Sequence, residues 1–137
     1  MRRGSTLVEF AITWPICLLL VFGCVQLSIW GAESYSARQA ALAAARLGQV
    51  PGTTQDSLAA VALSALGRSL VGTTPRAWCP GDPRPSPDVW VCVGLDAGSV
   101  EVRVGGNAPA ILPLLPGRSG LPLGADVKLA RETFAGP

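Results

Sequence analysis

The sequence contains no histidine and few charged residues. Charged side chains make up 15% of its 137 residues, against about 25% in typical soluble domains. Histidine is the most usual general base and a common metal ligand, so its absence argues against a hydrolase of the serine–histidine type. It also leaves too few ligands to complete a zinc site with any pair of the four cysteines. We therefore predict neither an enzyme nor a resident metal or cofactor.

The charge that is present is nearly balanced. The net charge is +2, and Arg2 and Arg3 at the N-terminus supply two of the positive charges. Nothing beyond them would form the basic face that nucleic-acid binding requires, so no nucleic-acid partner is expected. The length suits one small domain and an anchor.

One long segment has no charge at all. The 23 residues from Phe10 to Ala32 are uncharged, and a helix of about 20 residues crosses a hydrocarbon core about 30 Å thick. A cleaved secretory signal is the alternative, but its apolar core spans only about 7–15 residues. Arg2 and Arg3 precede the segment, so the positive-inside rule places the N-terminus in the cytoplasm. We predict a single-pass protein of the cytoplasmic membrane with its C-terminal domain outside.

Glu9 lies at the edge of this apolar segment. A carboxylate at the centre of a bilayer costs about 2.5–3.5 kcal/mol on insertion scales, and less near the edge. Two interpretations compete. In one, Glu9 lies among the lipid headgroups and pairs loosely with Arg2 or Arg3. In the other, Glu9 requires a specific cationic partner inside an assembly of helices.

The spacing around Glu9 resembles the processing site of type IV prepilins. Basic residues precede Gly4 and Ser5, and Glu9 is the fifth residue counted from Ser5, ahead of a long apolar helix. The resemblance implies that a membrane-embedded prepilin peptidase cuts between Gly4 and Ser5. Cleavage would remove Arg2 and Arg3 and leave an α-amino cation on Ser5. That cation could meet the Glu9 carboxylate of a neighbouring helix, which would make Glu9 an assembly residue.

The resemblance continues beyond Glu9. The sequence VEFAITWP from Val8 to Pro15 is similar to the signature of the TadE-like family, and Gly23 and Gly31 stand where that family often has glycine. The segment from Arg38 to Gly48 resembles the end of the family pattern. It departs from that pattern at Leu47 and lacks the acidic residue between Ala and Arg. These features cover about the first third of the chain.

The TadE-like resemblance implies a minor pilin of a tight-adherence (Flp) pilus, contributing to pilus assembly and surface adhesion. Its implied partners are other pilin subunits, the prepilin peptidase, the inner-membrane assembly platform and membrane lipid. The domains expected are a leader at 1–4, a TadE-like helix at 5–49 that spans the membrane at about 10–32, and an exported α+β domain at 50–137. The alternative function is a permanently anchored extracytoplasmic binding module, and the related TadF type is not separated from TadE.

The first structural element expected is one helix from Ser5 to Leu47. Its second part is rich in alanine, the best helix former, and Gly48 followed by Pro51 is a typical stop signal. Pro15 removes a backbone donor, so a kink is expected there. Either that kink serves assembly, for example on extraction from the bilayer, or Pro15 is a proline that the membrane helix tolerates.

The exported part is expected to add a second helix and a small antiparallel sheet. Apolar residues at helical spacing predict a helix over Gln55–Leu70. Strand-like sequence from Val89, a turn at Asp96–Ser99 and alternation over Val100–Val104 predict a hairpin with Glu101 and Arg103 facing water. After a proline-rich connection over Pro109–Pro122, the sequence ADVKLARETF is expected to add a third, shorter strand.

The four cysteines form two pairs in the sequence. Cys79 and Cys92 flank a proline-rich loop in the exported part, where an oxidising environment favours a disulfide; free thiols are the alternative. Cys17 and Cys24 are seven residues apart on one helix face. We interpret that second pair as small apolar residues rather than as a site.

Overall fold

The computed structural model describes residues 3–109 and 120–131, with side chains from residue 7 onward. Two helices and a four-stranded sheet follow one another along this part of the chain. The elements are α1 (Arg3–Gly48), α2 (Gln55–Gly67), β1 (Arg76–Ala77), β2 (Val89–Leu95), β3 (Ser99–Pro109) and β4 (Gly120–Ala130). The fold class is α+β, as the sequence predicts.

Helix α1 is 46 residues long, which corresponds to about 69 Å at 1.5 Å per residue. It ends at Gly48, where the sequence predicts a stop, and packing explains why glycine occupies this position. A Cβ atom on Gly48 would lie 2.7 Å from a methyl group of Val100 and 3.0 Å from one of Leu58. The end of α1 is therefore pressed into the core between α2 and the sheet.

Helix α2 begins with a capping box. The hydroxyl of Thr54 accepts from the backbone N–H of Ser57, and the Ser57 hydroxyl accepts from the Thr54 N–H, so orphan donors at this helix end are satisfied. The helix ends at Gly67, earlier than the predicted Leu70. Glycine is a poor helix former, and beyond it the N–H groups of Ser69 and Leu70 both donate to the Leu66 carbonyl, which closes the last turn.

The sheet has the order β1-β2-β3-β4. The predicted hairpin is present: β2 and β3 are antiparallel, with Val91 opposite Val104 and Val93 opposite Val102. At its turn, the N–H of Asp96 donates to the Ser99 carbonyl over 2.9 Å. β4 pairs with β3 in antiparallel register, so three consecutive strands form a meander.

Two features of the sheet differ from the expectation. β1 pairs with β2 in parallel, which makes the sheet mixed rather than purely antiparallel. β4 is not a short strand at 125–134, because it begins at Gly120 and has 11 residues, as many as β3. Gly120 and Pro122 belong to β4 rather than to the predicted proline-rich connection, because proline is accepted on an edge strand. Residues 110–119 and 132–137 of these predictions lie outside the described residues.

The core lies between the sheet and the two helices, which cover the same face. It consists of alanines of α1, Leu58, Ala62 and Leu66 of α2, valines of β2 and β3, Ala108 of β3 and Leu123 of β4. On the opposite face, Arg103 is exposed and pairs with Glu101 on its own strand and, over 3.7 Å, with Asp126 on β4. Glu101 and Arg103 therefore lie on the outer face, as predicted.

Candidate assembly site

The first half of α1 makes no contact that buries it. Every residue from Leu7 to Phe22 is exposed, and Gln26 is the first buried residue of the helix. The exposed side chains are large and apolar, for example Leu19 at 61% and Leu20 at 64%. Of the described helices, α1 alone is long and apolar enough to cross a membrane. A segment with this composition requires lipid or other apolar helices around it.

The predicted processing and assembly residues all lie at the start of this exposed segment. Gly4 and Ser5 fall within α1. Glu9 lies one helical turn further along, with its side chain exposed. Four residues of helix rise about 6 Å, so Ser5 and Glu9 share a helix face and are neighbours on it.

Pro15 lies inside α1, which continues as one helix on both sides of it. The ring of Trp14, next to Pro15, stacks on that of Phe10 with centroids 5.8 Å apart. Cys17 and Cys24 are both exposed, free cysteines on the same segment. That Pro15 kinks the helix and serves assembly stays a prediction.

The first part of α1, up to Val25, has no buried residue, whereas from Gln26 onward one face of the helix is buried. The buried residues of α1 recur at helical spacing, with steps of three, four or seven along one face: Gln26, Glu33, Ala37, Ala40, Ala41, Ala44, Ala45 and Gly48. Sequence reasoning treated Gln26 as part of the uncharged anchor, and this spacing is the signal that identifies the face. The folded body therefore begins inside α1 rather than after it.

Glu33 connects α1 to the chain that follows α2. Its side chain is 2% exposed, and its Oε1 accepts a hydrogen bond from the Val71 N–H over 3.3 Å. The hydroxyl of Ser36 donates to the Glu33 carbonyl over 2.8 Å. A buried carboxylate requires a hydrogen-bond donor, and here the Val71 N–H supplies it, so Glu33 holds the α2–β1 segment against α1.

The other predicted site lies in the exported body. Cys79 and Cys92 are joined by a disulfide, with their Cα atoms 4.7 Å apart. Within the loop that this bond closes, the Arg84 guanidinium contacts the Asp82 carboxylate over 2.6 Å. The hydrogen bonds from Arg84 lower the pKa of Asp82 to about 2, and the same contact raises the pKa of Arg84.

A shallow groove of about 570 Å³ adjoins this loop. Arg76, Arg84 and Asp88 supply its charges, and Trp78 with Pro85 supplies apolar surface. The indole N–H of Trp78 donates to the Arg84 carbonyl over 2.9 Å, so the loop is held against β1. Among residues 3–109 and 120–131, no three His, Cys, Asp or Glu side chains are grouped so that they could hold a metal ion.

The structure thus separates the predicted residues into two groups. Gly4, Ser5, Glu9 and Pro15 lie in the first turns of α1, whereas Cys79 and Cys92 hold a loop of the body. The first group presents a surface suited to packing among helices, and the second is part of the stability of the domain.

Comparison with known proteins agrees with the sequence pattern at the start of the chain. The family model described as TadE-like protein matches residues 4–46. That range begins at the predicted processing residue and ends two positions before the end of α1. No curated protein and no solved structure matches the chain. Over residues 4–46, which include the anchor and the alanine-rich face that packs on the sheet, the chain is similar to TadE-like proteins.

Proposed function

We propose that this protein is a minor pilin of a tight-adherence pilus, processed after Gly4 and assembled through the exposed first half of α1. The observation that carries the proposal is that the TadE-like match and the exposed apolar segment both lie at the start of α1. The TadE-like match starts at Gly4, and in the apolar segment that follows none of the described residues from Leu7 to Val25 is buried. A pilin uses such a segment in two settings: as a membrane anchor before assembly, and as a surface that packs on neighbouring helices afterwards.

Glu9 gives this segment a defined register. Removal of residues 1–4 would leave an α-amino cation on Ser5 and remove Arg2 and Arg3. In a bundle of parallel helices the cation of one subunit would pair with the Glu9 carboxylate of the next. An unpaired charge in an apolar bundle is strongly disfavoured, so only registers that form this pair would be stable.

The same proposal places the protein and its partners. The TadE-like family is structural rather than enzymatic, and the partners proposed are other pilin subunits, the prepilin peptidase, the assembly platform of the inner membrane and membrane lipid. The N-terminus would lie in the cytoplasm and the body outside, either at the membrane or in the pilus, where it would contribute to adhesion.

The decisive experiment is the mass and N-terminal sequence of the protein from cells with an active prepilin peptidase. A chain that begins at Ser5 is expected, and Gly4→Leu should leave the full-length chain uncut. If the wild-type chain keeps Met1 or Arg2 in those cells, the proposal is wrong. A permanently anchored binding module would then be the remaining function, and the groove beside Trp78 would be its first surface to test.

The role of Glu9 is tested separately in processed protein. Glu9→Gln keeps the size of the side chain and removes its charge, and we expect incorporation into pili to fall at least tenfold. Asp96→Asn, in the exposed turn of the body, is the matched control and should incorporate normally. Normal incorporation of Glu9→Gln would contradict the pairing of Glu9 with the cation on Ser5, even if cleavage after Gly4 is found.

A further inference from the structure

The length of the bare part of α1 matches the thickness of a bilayer. From Leu7 to Val25 no residue is buried, and Gln26 is 2% exposed. These residues cover about 28 Å of helix at 1.5 Å per residue, against about 30 Å for a hydrocarbon core. With the bare segment in lipid, the body begins at the membrane surface, and no stalk separates the two.

The hairpin of β3 and β4 identifies which end of the body lies at that surface. The indole N–H of Trp30 donates to the Pro122 carbonyl over 3.0 Å. Just past the end of the same helix, the Gln49 side-chain amide donates to the Ala130 carbonyl over 3.2 Å. β4 therefore runs beside α1 in the same direction, with Pro122 at the membrane side and Ala130 about 28 Å farther away, from the rise of the helix between the two bonds.

The two ends of the hairpin differ in chemistry. At the membrane side, Pro109 pairs with Gly120 and is exposed, Leu121 is half-buried and Pro122 is exposed. The far half of the hairpin carries the charged residues of β3 and β4, namely Glu101, Arg103, Asp126 and Lys128.

We propose that the membrane-side end of this hairpin, defined by Pro109, Leu121 and Pro122 together with Trp30, rests in the interfacial layer of the bilayer. It would form a second contact with lipid beside the transmembrane segment. Tryptophan is enriched at this depth because its ring is apolar and its N–H is polar. This lipid contact would fix the tilt of the body on the membrane. A subunit that leaves the bilayer would have to break the contact.

The inference rests on the membrane anchoring in the proposed function but not on cleavage after Gly4. We would test it with the full chain, in which Cys17 and Cys24 are replaced by alanine and Cys79 and Cys92 remain oxidised. A single new cysteine at Pro122→Cys carries an environment-sensitive fluorophore. The protein is inserted into phosphatidylcholine vesicles that contain phosphatidylcholine with a nitroxide on its acyl chain near the headgroup.

The matched control is Ala97→Cys, in the exposed turn at the far end of the same sheet. We expect the label at position 122 to be quenched several-fold more strongly than the label at position 97. Pro109→Cys, on the neighbouring strand, should behave like Pro122→Cys and provides a second reading if one substitution disturbs the fold. Leu19→Cys reports insertion of the anchor and should be protected from aqueous quenchers.

Each result leads to a different conclusion. Equal, weak quenching at 122, 109 and 97 with a protected label at 19 would overturn the lipid contact and leave the anchor intact. Labels at 122 and 109 that are shielded from water but not quenched by the lipid nitroxide would show that protein covers this end, which also overturns the proposal. An exposed label at 19 would reject the anchor itself, and the lipid contact with it.

Discussion

The two halves of α1 use hydrophobic residues in opposite ways. The first half carries leucine, valine, isoleucine and aromatic side chains, and all of them are exposed. The second half buries alanines, which are 0–1% exposed against the sheet. Small side chains let a helix approach its neighbour closely, whereas large aliphatic and aromatic ones insert favourably into lipid. Hydrophobicity alone therefore does not identify the core of this protein, since its most apolar segment is exposed from Leu7 to Phe22.

The sharpest test of this comparison makes the same change in both regions. Leu58 is 0% exposed, and Leu19 is 61% exposed. We expect Leu58→Ala to lower the free energy of unfolding of the body by about 2–5 kcal/mol through lost burial and a cavity. Leu19→Ala should change it by less than about 0.5 kcal/mol. Chemical unfolding of the full chain in detergent micelles measures both, and equal losses would contradict the division.

The two cysteine pairs also differ between the body and the exposed half of α1. Replacing Cys79 and Cys92 by serine opens a disulfide between residues 13 apart in sequence, and we expect a loss of about 3 kcal/mol from the unfolding free energy on the chain-entropy account. The corresponding change at Cys17 and Cys24, which are exposed and free, should leave the stability of the body unchanged.

Alkylation provides an independent check of that division. Without reductant, the denatured chain should take up label at Cys17 and Cys24, and after reduction at Cys79 and Cys92 as well. Labelling of Cys79 without reductant, in protein from an oxidising compartment, would mean that the bond does not form there.

A third prediction concerns the alanines that line the second half of α1. Ala41 is 0% exposed, and Ala43, two residues later, is exposed. Ala41→Leu should destabilise the body by about 1–3 kcal/mol because the helix can no longer lie as close to the sheet. Ala43→Leu is the control and should have little effect. Similar stability for the two variants, by thermal unfolding, would show that this helix face is not tightly packed.

The smallest effect is expected at the surface loop, where the body carries charge that the anchor lacks. Contact with Arg84 lowers the pKa of Asp82 from 3.8 to about 2. The pair therefore stabilises the folded loop above pH 3.8, and this contribution is lost as the pH falls towards 2. Titration followed by NMR of the Asp82 carboxyl carbon should give a midpoint near 2. In Arg84→Ala the midpoint should return towards 3.8, and a midpoint that does not move would contradict the pairing.

The parts of the fold that repeat with a fixed period could be predicted from the sequence. The alternation of Val100, Val102 and Val104 identifies a strand with one buried face, because successive side chains of a strand point to opposite sides. Leu58, Ala62 and Leu66 similarly mark the buried face of α2. Glycine and proline signals placed the end of α1 and the turn of the hairpin.

Elements without such a period could not be found. β1 has two residues, too few for any pattern, and it is held by its parallel pairing with β2. The start of β4 is hidden by Gly120 and Pro122, since residues that usually break strands are acceptable at a sheet edge. The need for glycine at position 105 could not be predicted either. A Cβ atom there would lie 2.4 Å from the Trp90 ring, and the two residues meet only because β2 pairs with β3.

At the candidate site, the positions of Gly4, Ser5 and Glu9 in a helix follow from the sequence, but their chemistry does not. Cleavage depends on an enzyme, and the partner of Glu9 depends on an assembly, so both stay predictions. The burial of Glu33 depends on Val71, 38 residues away. No local pattern could place those two residues together.

The continuity of α1 determines how this protein carries load. The helix passes from the exposed segment into the core, where Gly48 meets Val100 and Leu58, and no flexible linker lies between anchor and body. A pull along the anchor therefore acts parallel to the interface between α1 and β4. The hydrogen bonds of Trp30 and Gln49 to β4, and the contacts between them, are therefore loaded at the same time in shear. They would not break one after another. Tension on the helix would thus be transmitted to the whole sheet at once.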